Sequence, residues 1–124
     1  MIYKLRTSKE TLDIFEYIRG SEGLQPFALS KIAIALSIRK GELSPQDFKA
    51  DNNGLELNRQ TIFGEYDSLF KSLIALIMKR EISDDDFFPL LSKAHLDRGA
   101  KMLYNEVRYG MNFYENLLRL EKNL

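Results

Sequence analysis

Residues 26–40 read Pro26-Phe27-Ala28-Leu29-Ser30-Lys31-Ile32-Ala33-Ile34-Ala35-Leu36-Ser37-Ile38-Arg39-Lys40, and Gly41 follows. Proline at a first helical position and glycine just past the last turn are the punctuation of an α-helix. Arg39 and Lys40 stand where cations favour the carbonyl end of the helix dipole. Phe27, Leu29, Ile32, Ala33 and Leu36 supply a helical period, but Ala28, Ile34, Ala35 and Ile38 leave almost no polar face. A helix apolar all round is buried on all sides. A chain of 124 residues has little with which to surround a helix so near its start. The stretch therefore predicts a central helix that a second copy of the chain helps to cover.

Upstream of it, residues 2–7 alternate as a short strand, with Ile2, Lys4 and Arg6 on one face and Tyr3, Leu5 and Thr7 on the other. Ser8 is the expected N-cap of a first helix, with Glu10 in its first turn. Leu12, Ile14, Phe15 and Ile18 carry that helix to about Arg19, and Gly20 is the expected stop. Strand, helix, turn and helix over residues 2–40 are the order of a ribbon-helix-helix unit, in which two chains pair their strands and interlock their second helices. In DNA-binding versions the outward strand residues enter the major groove. That assigns Lys4 and Arg6 to the DNA side, with Lys9 near phosphate level. Lys31, Arg39 and Lys40 are further candidates for phosphate contact, which positions a protein without specifying sequence. The plainer alternative is that all six are solvated surface cations.

Downstream, residues 41–54 are polar and read as loop. Asp51-Asn52-Asn53-Gly54 lacks the alternating ligands and terminal glutamate of a calcium loop and is read as a turn. Leu55 to Arg59 alternate as a second short strand. A helix is expected from about Gly64 to Arg80, then a short one capped by Ser83 with Asp84, Asp85 and Asp86 in its first turn. Neighbouring helical residues diverge by about 100°, so those three aspartates do not converge on a metal. A longer helix runs from about Lys93 to a break at Gly110. Met111 to Leu120, with Tyr114, Leu117 and Leu118 on one side, reads as a last amphipathic helix that docks or dimerises. The expected fold is thus mainly α, a single domain over 1–124. It has a ribbon-helix-helix-like unit over 1–41, a helical remainder over 64–124, and one or two short strands.

Composition excludes several chemistries. The sequence has no cysteine, which removes disulfides, thiolate nucleophiles and cysteine-held metals and suits a cytoplasmic setting. No apolar run approaches the roughly 18 residues of a membrane span, and the first residues lack a signal-peptide pattern. Eight phenylalanines and six tyrosines are enough for a modest core. Net charge is zero, against a simple DNA-coating polyelectrolyte. The charge is uneven, though: residues 1–40 hold seven Lys/Arg against four Asp/Glu, while residues 41–70 hold two against six. The lone His95 reads as a capping or surface residue. No serine has an evident base partner, and Gly20 and Gly23 form neither a P-loop nor a dinucleotide fingerprint. The residues themselves point to no catalytic group, cofactor or metal, and to a protein that is not an enzyme.

Arg6-Thr7-Ser8-Lys9, the Gly20/Gly23 turn, Ala33 to Ser37, the block Asn58-Arg59-Gln60-Thr61-Ile62-Phe63-Gly64-Glu65-Tyr66 and His95-Leu96-Asp97-Arg98-Gly99 occur in an order that resembles the DndE family. That family is the small subunit of the bacterial DNA sulfur modification (phosphorothioation) system. The resemblance covers roughly residues 5 to 104. It implies a homo-oligomer, a dimer or a tetramer, that binds nicked or intact duplex DNA through surface lysines. It also implies partnership with a cysteine desulfurase, an iron–sulfur sulfurtransferase and an ATPase-like subunit, with no catalytic residue of its own. The competing expectations are a protein scaffold with weak DNA affinity and a ribbon-helix-helix transcriptional regulator. Phe63-Gly64-Glu65-Tyr66 has a structural reading as well: a tight turn into a helix with Phe63 stapled onto the core.

Overall fold

The computed structural model describes residues 2–109 and is mainly helical, with one two-stranded antiparallel sheet. The order is β1 (Lys4–Arg6), α1 (Lys9–Glu22), α2 (Pro26–Lys40), β2 (Glu56–Asn58), α3 (Arg59–Phe63), α4 (Asp67–Met78) and α5 (Ser92–Tyr109). The expected helix at Met111–Leu120 lies outside the described residues.

Ser8 caps α1 as expected, its Oγ accepting the Thr11 N–H at 3.0 Å. Thr11, Ile14, Phe15 and Ile18 turn inward. The helix does not stop at Gly20. It runs on to Glu22 and closes at Gly23, which adopts the left-handed conformation (φ 73°) and donates its N–H to the Arg19 carbonyl. A glycine inside a helix costs only about 1 kcal/mol, and Gly23 supplies the cap that Gly20 would have left to solvent.

The N-terminal strand departs from the ribbon-helix-helix expectation. β1 is paired with β2 of its own chain, Leu5 opposite Leu57 and Arg6 opposite Glu56. Thr7 N–H to Leu55 O, Gly54 N–H to Thr7 O and Arg59 N–H to Tyr3 O, at 2.7–2.8 Å, prolong the ladder at both ends. One edge of β1 is therefore occupied from within. Leu5 and Leu57 bury together while their neighbours face solvent, so a pairing across some 50 residues satisfies the alternation that the sequence offered to a second copy.

Helix α2 has the predicted bounds and lies at the centre, packed chiefly on α5 and also on α1, α3 and α4. Leu29, Ser30, Ala33, Ile34, Leu36 and Ser37 are buried by the chain itself. One copy thus buries one side of the helix from within. The strip through Phe27, Lys31, Ala35 and Arg39 stays open to differing degrees, with Phe27 43% exposed. The crossing of α2 and α5 is close. A Cβ on Gly99 would run into the Ala33 carbonyl, so only glycine lets the two backbones meet there.

The helix expected over 64–80 is present as the shorter α4, and a further short helix that the sequence did not suggest precedes it. Asn58 caps the short α3, its Oδ1 accepting the Gln60 N–H at 2.8 Å. A tight turn at Gly64–Tyr66 then leads into α4. Phe63 is fully buried against Phe70, Phe87 and Phe88, which fits the structural reading of that block. Ile74 alone of α4 is fully buried, while Leu69 and Leu76 are exposed. Ser83 does cap the following turn, accepting from Asp86 N–H, and that turn is broken at Phe88, whose backbone is extended.

Candidate nucleic-acid interface

Each residue of His95-Leu96-Asp97-Arg98-Gly99 is fixed by packing or by a helix end. Asp97 Oδ1 accepts the Ser8 N–H at 3.1 Å and the Thr11 hydroxyl at 2.7 Å, tying α5 to the start of α1. Its other oxygen meets Lys93 Nζ at 2.6 Å. Arg98 serves the opposite kind of end. Its guanidinium donates to the carbonyls of Ser37, Gly41 and Glu42 at 2.6–2.7 Å and to Ser37 Oγ at 2.8 Å. A cation on unsatisfied C-terminal carbonyls is favoured both as donor and by the dipole. Leu96 is core, Gly99 is the crossing point, and His95 Nδ1 lies 2.8 Å from Ser37 Oγ. Burial pushes the His95 pKa down to about 4, and the Arg98 charge adds to the shift.

The clip formed by Arg98 shapes a cleft of about 540 Å³ between the end of α2, the turn at residues 45–48 and α5. Lys40, Lys49 and Lys101 line it beside Arg98 and Asp47. Burial alone would raise the Asp47 carboxyl, but hydrogen bonds from the Ser44 N–H and hydroxyl, with the Arg98 and Lys40 charges, hold it below the usual range. Asp47 and Arg98 offset one another, 3.7 Å apart, as do Asp97 and Lys93. Lys101 has only a 3.7 Å approach to Glu10, both well exposed, a pairing worth little in water. Among the described residues Lys40 and Lys49 make no ion pair. The cleft thus keeps more positive charge, on Lys40, Lys49, Arg98 and Lys101, than its carboxylates Asp47 and Asp97 offset.

The six cations named from sequence are spread over several places. Lys4 and Arg6 share the outer face of β1, both over Glu56 at 3.8 and 3.6 Å. Lys9 opens α1 and is bound to Asp13 at 2.9 Å, a bond that raises its pKa. Lys31 and Arg39 lie on the open strip of α2, and only Lys40 enters the cleft. Lys49 and Lys101, not among the six named from sequence, line the cleft with it. Lys101 is one turn after Arg98 on α5, a spacing that could have paired them. Lys49 closes the turn at residues 45–48, its N–H donating to the Gln46 carbonyl, in a stretch that reads as loop from sequence alone.

A second charged cluster is structural. Arg59 makes paired hydrogen bonds with Asp67 and with Asp84, all at 2.7–2.8 Å, above the rings of Phe87 and Phe88. Those bonds raise the guanidinium pKa further and, through Arg59 first, hold Asp84 below its ordinary range. Asp84 therefore serves Arg59 rather than only the dipole of its own turn. Among the described residues no group of three or more His, Asp or Glu could hold a metal ion, and no helix is long and apolar enough to cross a membrane.

Comparison with known proteins agrees with this architecture. The family profile described as "DNA sulphur modification protein DndE" matches residues 4–109. A crystal structure of DndE from Escherichia coli B7A, involved in DNA phosphorothioation modification, is similar with a TM-score of 0.65 at 19% identity, over 83% of this chain and 97% of that one. A double glycine-to-lysine mutant of DndE is similar with a TM-score of 0.63 at 16% identity, over 82% and 97%. A search of curated proteins finds no match.

Proposed function

Because the chain belongs to the DndE family of DNA sulphur modification proteins, we propose that it is a non-catalytic accessory subunit of the phosphorothioation machinery that holds duplex DNA, nicked or intact, by its phosphates. The observation that carries this reading is the cleft at the end of α2, where Lys40, Lys49, Arg98 and Lys101 outnumber the carboxylates Asp47 and Asp97. Lysines placed this way act as counter-charges to a phosphate backbone and give affinity without sequence readout. Lys9, Lys31 and Arg39, and Lys4 and Arg6 on β1, are supplementary contacts. A non-catalytic role is supported by the engagement of the groups that could do chemistry. His95 is buried on Ser37 beside Arg98, and Asp47, Asp84 and Asp97 are tied to cations.

The open strip of α2 and the exposed Leu69 and Leu76 of α4 favour contact with protein as well. A second copy of the chain is the first candidate. The cysteine desulfurase, the iron–sulfur sulfurtransferase and the ATPase-like subunit of the same system are the others. In the scaffold version of this reading, these faces carry the function and DNA affinity is slight.

The test is binding of labelled duplexes of two unrelated sequences, one nicked and one intact, to the wild type and to Lys40→Glu/Lys49→Glu/Lys101→Glu. All three side chains are partly or fully solvent-facing, so the fold should persist. The expected result is a loss of affinity of similar size on both sequences. Undiminished binding would remove the cleft from the DNA contact. Absence of binding by the wild type, with capture of the partner subunits, would favour the scaffold.

A further inference from the structure

We propose that the apolar pocket next to the basic cleft receives one unpaired nucleobase of the bound strand, stacked on Phe48; this rests on the DNA-binding reading above. The pocket measures about 180 Å³, its apolar wall formed by Phe48, Ala50, Pro89, Leu90 and Ala94 and its polar lining by Asp47, Lys93 and Asp97. Asp47, Ala50 and Asp97 also line the cleft of Lys40, Lys49 and Lys101. The two cavities thus adjoin at these three residues. Phe15, Phe63, Phe87 and Phe88 are buried, whereas Phe48 is 43% and Leu90 52% exposed. An aromatic ring left half in water at the rim of a cationic groove is the arrangement that holds single-stranded nucleic acid: phosphates lie on the cations and a base lies on the ring.

Size narrows the occupant. Pockets that enclose drug-sized ligands run from about 300 Å³ upward, so this one admits a single ring system and leaves sugar and phosphate in the cleft. Its border groups are engaged, Asp97 with Lys93 and Asp47 with Ser44. They therefore offer little with which to read a base edge, and stacking would be tolerant of sequence. A base paired inside a duplex cannot reach such a pocket. The ligand is a strand with an unpaired base, as at an end or a gap.

The experiment uses the full chain and a duplex with a one-nucleotide gap spanned by a single unpaired residue, either a normal nucleotide or an abasic one. Wild type is expected to bind the normal substrate about 5- to 100-fold more tightly than the abasic one. Phe48→Ala should abolish that preference while leaving abasic binding unchanged, and Phe48→Leu, which keeps the apolar bulk, should recover only a part. Equal wild-type affinity for the two substrates, or a preference that survives Phe48→Ala, would overturn the pocket and leave the phosphate cleft standing. Failure of the wild type to bind either substrate would overturn both.

Discussion

Arg98 Nε donates to Ser37 Oγ, and His95 Nδ1 lies 2.8 Å from the same oxygen, so the imidazole is buried within reach of the guanidinium's charge. A second positive charge beside Arg98 would be repelled as well. The imidazole, held near pKa 4 in the fold, titrates near 6.5 when the chain unfolds. Between those values the unfolded state binds the extra proton. Stability is therefore complete above pH 6.5 and falls as the pH drops toward 4, by up to about 3 kcal/mol. Urea denaturation across that interval should show the slope in the wild type and lose most of it in His95→Gln; identical slopes would contradict the assignment. One residue pair away, Gly99→Ala should cost about 3 kcal/mol or more, because backbone on backbone has no rotamer through which to yield. Equal denaturation midpoints for Gly99→Ala and wild type would mean the crossing is not close.

Among the elements, α2 was fully legible. Its proline, glycine and terminal cations mark both ends, and all three are local signals. Helix α1 was legible except at its end, where two glycines compete and the later one can take the left-handed cap. Helix α4 was legible from its stripe Tyr66, Leu69, Phe70, Leu73, with bounds drawn two or three residues too wide. The short α3 was not, because Leu55 to Arg59 alternate as a strand and leave too few residues for a helical period. The pairing of β1 with β2 is non-local, and a period of two names a strand without naming its neighbour. The same limit hid the site: Lys40, Lys49 and Lys101 are brought together by Arg98 reaching across to the end of α2, and no spacing in the chain encodes that reach. The Arg59 cluster carries its own prediction. Arg59→Met removes four charge-assisted hydrogen bonds and leaves Asp67 and Asp84 facing each other, and should cost about 2–3 kcal/mol in chemical denaturation. A cost below about 1 kcal/mol, the level of an exposed pair, would show the cluster to be a surface ornament.

At the scale of the molecule, zero net charge conceals an uneven surface. Carboxylates cancel the cations of β1 and of the start of α1, while the end of α2 keeps its charge. The apolar remainder of α2 and α4 lies on a surface that one copy leaves uncovered, and this predicts self-association. Leu76, 74% exposed, contributes little to the monomer's core, so Leu76→Lys should lower the mass in solution without lowering the denaturation midpoint. A wild type that is monomeric at every concentration would refute that face as a contact between copies. The direct test of the whole account is the dependence of duplex affinity on salt. The three cleft lysines predict that log K falls against log salt, and that the slope is shallower by about 3 in Lys40→Glu/Lys49→Glu/Lys101→Glu, the remainder belonging to the supplementary contacts. An affinity that holds constant as salt rises would contradict it.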